Sequence, residues 1–503
     1  MPAHEYLLGF DVGSSSVKVT LLNATTGTTV SSASSPPTEM SITSPQTGWA
    51  EQDPAMWWQH AVIATKKVME QSKAPAEGII GIGISYQMHG LVVVDGNQNV
   101  LRPSIIWCDS RAVSIGDDAY RKLGEQYCHE NLLNSPGNFT ASKLKWVKDN
   151  EPDLYKKIHK IMLPGDYLGM RLTGEIFTTV SGLSEGILWD YKNQKVADKL
   201  LEYYGINSTF IPTIVPTFGD QGKLASKAAS ELGLKAGVPV SYRAGDQPNN
   251  AFSLKTLDPG EIAATAGTSG VIYGVVGKPA SDKYSRVNAF AHVNHKNDDQ
   301  RLGILLCVNG TGIMNSWLRR NVQIKGEPIS YETLNDLAKH APIGSEKLVV
   351  LPFGNGAERV LKNKELGASF HNLDLNRHDA SHLSRAVQEG IVFALGYGFE
   401  IMNAMGLQSK VIRAGKANMF LSETFCEAFT NITGARIELI NTDGSAGAAR
   451  GAGVGVGYYS LTSAFAGLTC IGEYAPEKKK QEEYKNAYEK WKKILSSQLA
   501  DQA

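Results

Sequence analysis

Two runs of alternating and beta-branched residues, EYLLGFDV and SVKVTLLN, flank the short turn GSS and read as strand, tight turn and strand. The same pattern returns at EIAATAGTSGVIYGVV, from Glu261 to Val276. Superposing the turns pairs Gly13 with Gly267, Ser14 with Thr268, Ser15 with Ser269 and Val17 with Val271, each offset by 254 residues. That offset is close to half the chain and predicts a duplicated domain, each copy opening with a similar hairpin. Two Gly-Ser loops can also match by chance, but both copies here are flanked by strands.

The remaining periodicities alternate between strand and helix, as an α/β architecture requires. GIIGIGISY and VLRPSIIW read as buried strands. PAMWWQHAVIATKKVMEQ reads as a helix with Trp58, Ala61, Val62, Thr65, Val68 and Met69 on one face. Residues 382–405 predict a long buried helix despite three glycines. SKVIRAG predicts a strand that enters the helix NMFLSETFCEAFTNITG, stopped by Gly434. In the tail, Tyr484, Tyr488, Trp491 and Leu495 form one stripe, which predicts a terminal helix docked on the second half.

A chain of 503 residues exceeds what one core supports, so two domains are expected, divided as 1–243 and 244–503. Fifty Lys plus Arg cancel fifty Asp plus Glu, which leaves no global field for nucleic acid or an anionic membrane and favours a small-molecule partner. Five scattered cysteines without a CxxC pair argue against a disulfide framework or a structural zinc site and fit a reducing cytoplasm. MPAHEYLLGFDVG lacks the basic and long apolar regions of a signal peptide, and no apolar run approaches the ~18 residues of a membrane span. The expectation is a cytoplasmic protein with no membrane or nucleic-acid partner.

In FDVGSSSVK a carboxylate ends a buried strand and is followed by a loop of small residues with free backbone N–H groups. Gly13, the hydroxyls of Ser14, Ser15 and Ser16, and the charge of Lys18 suit phosphate oxygens. Asp11 suits a magnesium ion held through water. The paired loop AGTSG, with Gly267 and Thr268, suits the same nucleotide from the other side, across a cleft that closes on ATP. RAGKAN, between a strand and a helix N-terminus, and NGTGIMNSW have a similar local logic.

RAGDQPNN, residues 243–250, follows the apolar VPVSY. Turn chemistry accounts for its Pro and Asn residues, whereas Asp246 at a strand end can point at a substrate. Gln87, Met88 and His89 follow one strand, and Trp107, Asp109 and Arg111 another; with Asp246 and Gln247 they offer groups suited to a polyol. No GxxxxGK[ST] exists. GAARGAGVGVG, residues 447–457, is out of register for a dinucleotide fingerprint, follows no predicted strand and reads as close helix packing. His292 and His295 in AHVNH have no third ligand nearby and read as surface residues.

With these residues in place the chain resembles the FGGY carbohydrate kinases along nearly its whole length. DVGSSSVK is similar to the family's first phosphate loop, GDQ to its catalytic segment and GTSG to its second phosphate loop. Residues 142–150 and 382–390 are similar to its two signature regions. QMHG, LVVVD and WCDSRA are most similar to xylulokinases, in which a Met-His pair lies against the ketose.

The resemblance implies an α/β fold of two duplicated ribonuclease-H-like (actin-like ATPase) domains with a cleft between them. It implies Mg2+-dependent transfer from ATP to a ketopentose, D-xylulose before others, with Asp246 as base. Met88, His89, Asn138, Asp246 and Gln247 are then the sugar contacts. ATP contacts come from Ser14 to Ser16, Thr268, Gly312, Gly415 and Asn418, and a homodimer is suggested. Two segments depart from the pattern: RAGK replaces two glycines of a GGGA-like stretch by Arg413 and Ala414, and FGNGAERV replaces GERTP. Another polyol or sugar (ribulose, fuculose, gluconate, glycerol), an actin-like or Hsp70-like ATPase, and a non-catalytic sugar sensor are the alternatives.

Overall fold

In the computed structural model, which describes residues 5–324 and 326–501, the first hairpin is β1 (Tyr6–Val12) and β2 (Val17–Asn23), extended by β3 (Thr29–Ser35). Next come α1 (Pro54–Ser72) and β4 (Ile79–Tyr86). A long insertion containing α2 (Thr140–Asn150) and α3 (Val180–Glu185) precedes β5 (Val240–Gly245). These strands form one sheet in the order β5-β4-β1-β2-β3, with β1, β4 and β5 parallel and the hairpin strands antiparallel. The central strands read as nearly continuous apolar runs because both faces of the sheet are covered. On α1 the buried side chains are Pro54, Trp57, Trp58, Ala61, Ala64, Thr65 and Val68, while Val62 and Met69 lie at its margin.

The second half opens with α4 (Asp246–Ser253), followed by β6 (Ile262–Ala266), β7 (Gly270–Val276), β8 (Asn288–Ala291), β9 (Leu302–Val308) and α5 (Gly312–Asn321). Then come α6 (Ala380–Ala404), β10 (Val411–Gly415), α7 (Glu423–Thr433), β11 (Arg436–Ile440), α8 (Gly444–Gly455), β12 (Cys470–Tyr474) and α9 (Lys478–Ala500). The second sheet runs β8-β9-β7-β6-β10-β11-β12. Its inner part, β9-β7-β6-β10-β11, repeats the order and the strand directions of β3-β2-β1-β4-β5. The duplication read from two short turns is thus a duplication of topology.

The last strand of each copy feeds a helix, α4 after β5 and α8 after β11, and these two helices pack on each other. α8 also lies across β1, β4 and β5 of the other copy. Glycine makes that approach possible: a Cβ on Gly83 would stand 2.0 Å from the Ala448 carbonyl oxygen, and one on Gly9 would stand 1.9 Å from that of Ser445. The run GAARGAGVGVG therefore serves close packing, although β11 does precede it, contrary to the sequence reading. A division after residue 243 falls inside β5, so Asp246 follows directly on a strand of the first sheet.

Other expectations are corrected in detail. Of VLRPSIIW only Ser104–Ile105 pairs as strand, because its partner is the two-residue Glu51–Gln52 and Pro103 has no N–H to extend the ladder. Asn418–Leu421 forms a 3-10 turn, and α7 begins only after Ser422, whose hydroxyl accepts from the Phe425 N–H. Gly434, at φ 69°, ends α7 as expected. His292 is a core residue rather than a surface one, held by the Tyr273 hydroxyl at 3.1 Å and the Thr256 carbonyl at 3.0 Å. On α9 the stripe Tyr484, Tyr488, Trp491 and Leu495 is buried. Among the described residues no helix is long and apolar enough to cross a membrane.

Candidate active site

β1 delivers Asp11 to the C-terminal edge of the first sheet, and the turn behind it closes with the Gly13 N–H donating to the Ser16 carbonyl at 3.0 Å. The Ser85 hydroxyl at the end of β4 donates to Asp11 at 2.8 Å. β5 delivers Asp246 to the same edge as the first residue of α4. A third carboxylate, Asp443, caps α8, accepting from the Ala446 N–H at 2.9 Å. Lys18, expected to meet phosphate, forms an ion pair with Asp443 at 2.7 Å. Asp443 escaped the sequence reading, and its only signal there was an Asp before a run of small residues.

Burial raises the acid of Asp246 to about 7, with the charge of Asp11 adding to the effect and bonds from Gln247 opposing it. Burial also raises Asp11, against the pull of the Ser85 hydroxyl. Burial works on Asp443 too, but Lys18 and the cap bonds outweigh it and hold that acid low. Asp11 and Asp246 thus lie close enough at this edge for the charge of one to act on the other, and Asp11 suits Mg2+, which takes one or two carboxylates and keeps water or phosphate in its other positions. Among the described residues no cluster of three or more metal-ligating side chains exists.

The sugar-side candidates line a second wall. Met88 is buried beneath Gly245, and His89 takes the left-handed conformation at φ 63°. The His89 Nδ1–H donates to the Glu185 carbonyl at 2.9 Å, which leaves Nε2 as an acceptor. Burial, then the charge of Lys143, lowers His89 to about 3, so the ring is neutral. Phe139 meets it edge-on at 4.8 Å and Phe290 at 5.3 Å. Asn138 donates to the Asp109 carbonyl while its own Oδ1 is buried without a partner. Gln247 is half-buried next to Asp246.

Asp109 and Arg111 do not join this wall. Their charges are spent on each other at 2.7 Å and on Glu51 at 2.8 Å from Arg111, with Trp49 stacked on the guanidinium at 3.9 Å. Trp107 is 44% exposed and reaches the Ser14 hydroxyl at 3.4 Å, on the phosphate side. Glu185, also unforeseen, lies buried beside Gly245, with its Oε2 3.8 Å from His89 Nδ1.

On the nucleotide side, Gly267 and Thr268 at the second turn are braced by the start of α5. The Gly312 N–H donates to the Gly267 carbonyl at 3.0 Å, and a Cβ on Gly312 would sit 2.1 Å from that oxygen. A cavity beside this turn is lined by Asn250, Ala264, Gly415, Asn418, Thr442 and Gly444, all of the second half. Asn418 is left-handed at φ 53°. The departure at Arg413 leaves this cavity open, because that side chain pairs with Glu261 at 2.9 Å and Glu438 at 3.2 Å.

The N-terminal domain of the FGGY family of carbohydrate kinases matches residues 6–253, and its C-terminal domain matches residues 262–455. The chain belongs to the FGGY family of carbohydrate kinases. It is 30% identical to the xylulose kinase of Escherichia coli (strain K12), over 88% of each chain. A crystal structure of a "xyloylose kinase" from Brucella ovis superposes with a TM-score of 0.87 at 26% identity, covering 99% of this chain and 100% of that one. A gluconate kinase from Lactobacillus acidophilus shares the fold with a TM-score of 0.88 at 22% identity, covering 99% of each chain. As an FGGY member the protein is a carbohydrate kinase that uses ATP with Mg2+. The two halves are actin-like domains, as the resemblance implied.

Proposed function

We propose that this FGGY kinase phosphorylates D-xylulose at O5. The observation that carries the reading is Asp246, a carboxylate whose proton affinity burial has raised to near neutrality, facing Asp11 beside the first phosphate turn. It would take the hydroxyl proton as the sugar oxygen attacks the γ-phosphorus, a contribution of about 10² to 10⁴ in rate. The turns at Ser14–Ser16 and Thr268 would hold the phosphates with backbone and hydroxyl donors. Asp11 would hold Mg2+ through water, and the ion when bound neutralises charge on the phosphates. His89 Nε2, the free Asn138 Oδ1 and the Gln247 amide would read the sugar hydroxyls, with Met88, Phe139 and Phe290 as apolar packing.

Similarity to proteins named xylulose kinase supports the ketopentose, and a neutral His89 acceptor suits an uncharged polyol better than an imidazolium would. Five free cysteines support a reducing compartment. The test is coupled ADP release over D-xylulose, D-ribulose, L-fuculose, D-gluconate and glycerol, with wild type and Asp246→Asn. D-Xylulose should give the highest kcat/KM, and Asp246→Asn should lower kcat at least 100-fold while staying folded. Faster turnover of another acceptor would move the substrate, near wild-type turnover of the variant would remove the base, and no acceptor at all would favour a sensor.

A further inference from the structure

Arg359 stands apart from the other arginines of the cleft region. Arg111, Arg243 and Arg413 each hold a carboxylate within 3.0 Å, whereas among the described residues Arg359 has no carboxylate at ion-pair distance. It is half-buried, and desolvation works against its charge. A carboxylate that supports the charge does so from further off, the exposed Asp117. An uncompensated cation kept in a cleft is a costly arrangement unless an anion visits it.

Its placement says which anion. Arg359 opens the 3-10 turn Arg359–Leu361, and the preceding Glu358 accepts from the Asn309 and Gly310 N–H groups, each at 3.0 Å. That short segment leads into α5, whose first N–H groups brace the turn at Gly267 and Thr268. The backbone of Arg359 is therefore tied to the second phosphate turn. Its guanidinium crosses to the other half of the molecule and lies over the Phe139 ring at 5.4 Å, in the wall that also holds His89. Cys307, on the β9 strand that runs into this segment, pairs in register with Val271 just past the second turn. The cation thus sits between the aromatic sugar wall and the segment that braces the second phosphate turn.

We propose that Arg359 binds the phosphoryl group in transit, gripping its oxygens as it leaves the nucleotide and again on the phosphorylated sugar. The inference rests on the kinase reading. In the step itself the sugar hydroxyl oxygen forms a bond to the γ-phosphorus as the bond to the β,γ-bridging oxygen breaks. The hydroxyl proton passes to Asp246, and the bridging electron pair leaves with ADP. A planar guanidinium suits a trigonal phosphoryl group through two parallel N–H donors, and such cations act mainly on the transferring charge. An uncharged sugar gives Arg359 little to hold, so its effect belongs to kcat and to product binding rather than to sugar binding.

The experiment compares wild type, Arg359→Gln and Arg359→Lys. ADP release with D-xylulose gives kcat and both KM values, and calorimetry gives the affinities for D-xylulose and D-xylulose 5-phosphate; a thermal melt confirms folding. Arg359→Gln should lower kcat by about 10² to 10³, less than a complete arginine finger supplies. It should weaken D-xylulose 5-phosphate at least tenfold and leave D-xylulose within threefold. Arg359→Lys should recover part of kcat, and it carries the test if the glutamine variant does not fold.

Equal loss of sugar and sugar phosphate would overturn the proposal in favour of a wall-packing role. So would kcat within threefold of wild type, or a selective loss of D-gluconate turnover, which would assign Arg359 to a sugar carboxylate. Wild type that turns over no acceptor would sink the kinase reading and this inference with it. An active wild type with an indifferent Arg359→Gln would sink the inference alone.

Discussion

Gly444 offers a way to displace Asp11 without altering any charge. It is the first residue of α8, and a Cβ there would stand 2.3 Å from Asp11 Oδ2, 2.9 Å from its Cγ and 3.2 Å from Asn250 Oδ1. Ordinary contact begins near 3.4 Å, so in Gly444→Ala the carboxylate must retreat by about 1 Å. A displacement of that size at reacting groups costs about 100-fold in rate, because positioning and metal geometry supply most of the acceleration in phosphoryl transfer. The fold should lose only about 1–3 kcal/mol, since a side chain rather than backbone has to move. ADP release at varied Mg·ATP, read beside a thermal melt, separates the two effects. Gly96→Ala is the control, because a Cβ there meets nothing within 4 Å. Activity of Gly444→Ala within threefold of wild type, in a folded protein, would refute the placement of Asp11 at the reaction centre.

The base assignment gives a pH profile. Asp246 must be ionised to accept a proton, and its acid is held up at about 7, so kcat/KM should fall about tenfold per pH unit below 7 and level off above it; a plateau reaching down to pH 5 would contradict this. Gly83→Ala places a Cβ 2.0 Å from the Ala448 carbonyl oxygen, backbone that cannot rotate away, and should cost about 3 kcal/mol or more by denaturant midpoint. Trp491→Ala empties a fully buried site whose indole donates to the Val350 carbonyl at 2.9 Å, and should cost about 3–5 kcal/mol with kcat unchanged. A loss below about 1 kcal/mol would mean that α9 is docked only loosely.

Local pattern made much of the framework legible. The hairpins of β1–β2 and β6–β7, the buried length of α6 and the stripe on α9 each follow from a period that one element imposes on its own residues. VLRPSIIW failed because apolar content without a partner strand does not make a strand. His292 failed because its polar neighbours in sequence are not its neighbours in space. At the cleft the sequence named residue types suited to phosphate and polyol, and most of them meet there. Asp109 and Arg111 do not, because an ion pair within the first half consumes both.

By itself, then, the sequence determined the repeated hairpins, the order of helices and strands and the chemistry available at the strand ends, since each depends on residues close along the chain. Only the tertiary structure decided the electrostatics of the cleft, because these depend on distances between residues far apart in sequence. Lys18 is claimed by Asp443 across the domain interface, the charge of Asp11 adds to the proton affinity of Asp246, and among the described residues Arg359 has no carboxylate partner. Packing α8 onto the other copy's sheet brings Asp443 up to Lys18 and Asp11, and it is glycine at positions 9 and 83 that lets the helix come that close.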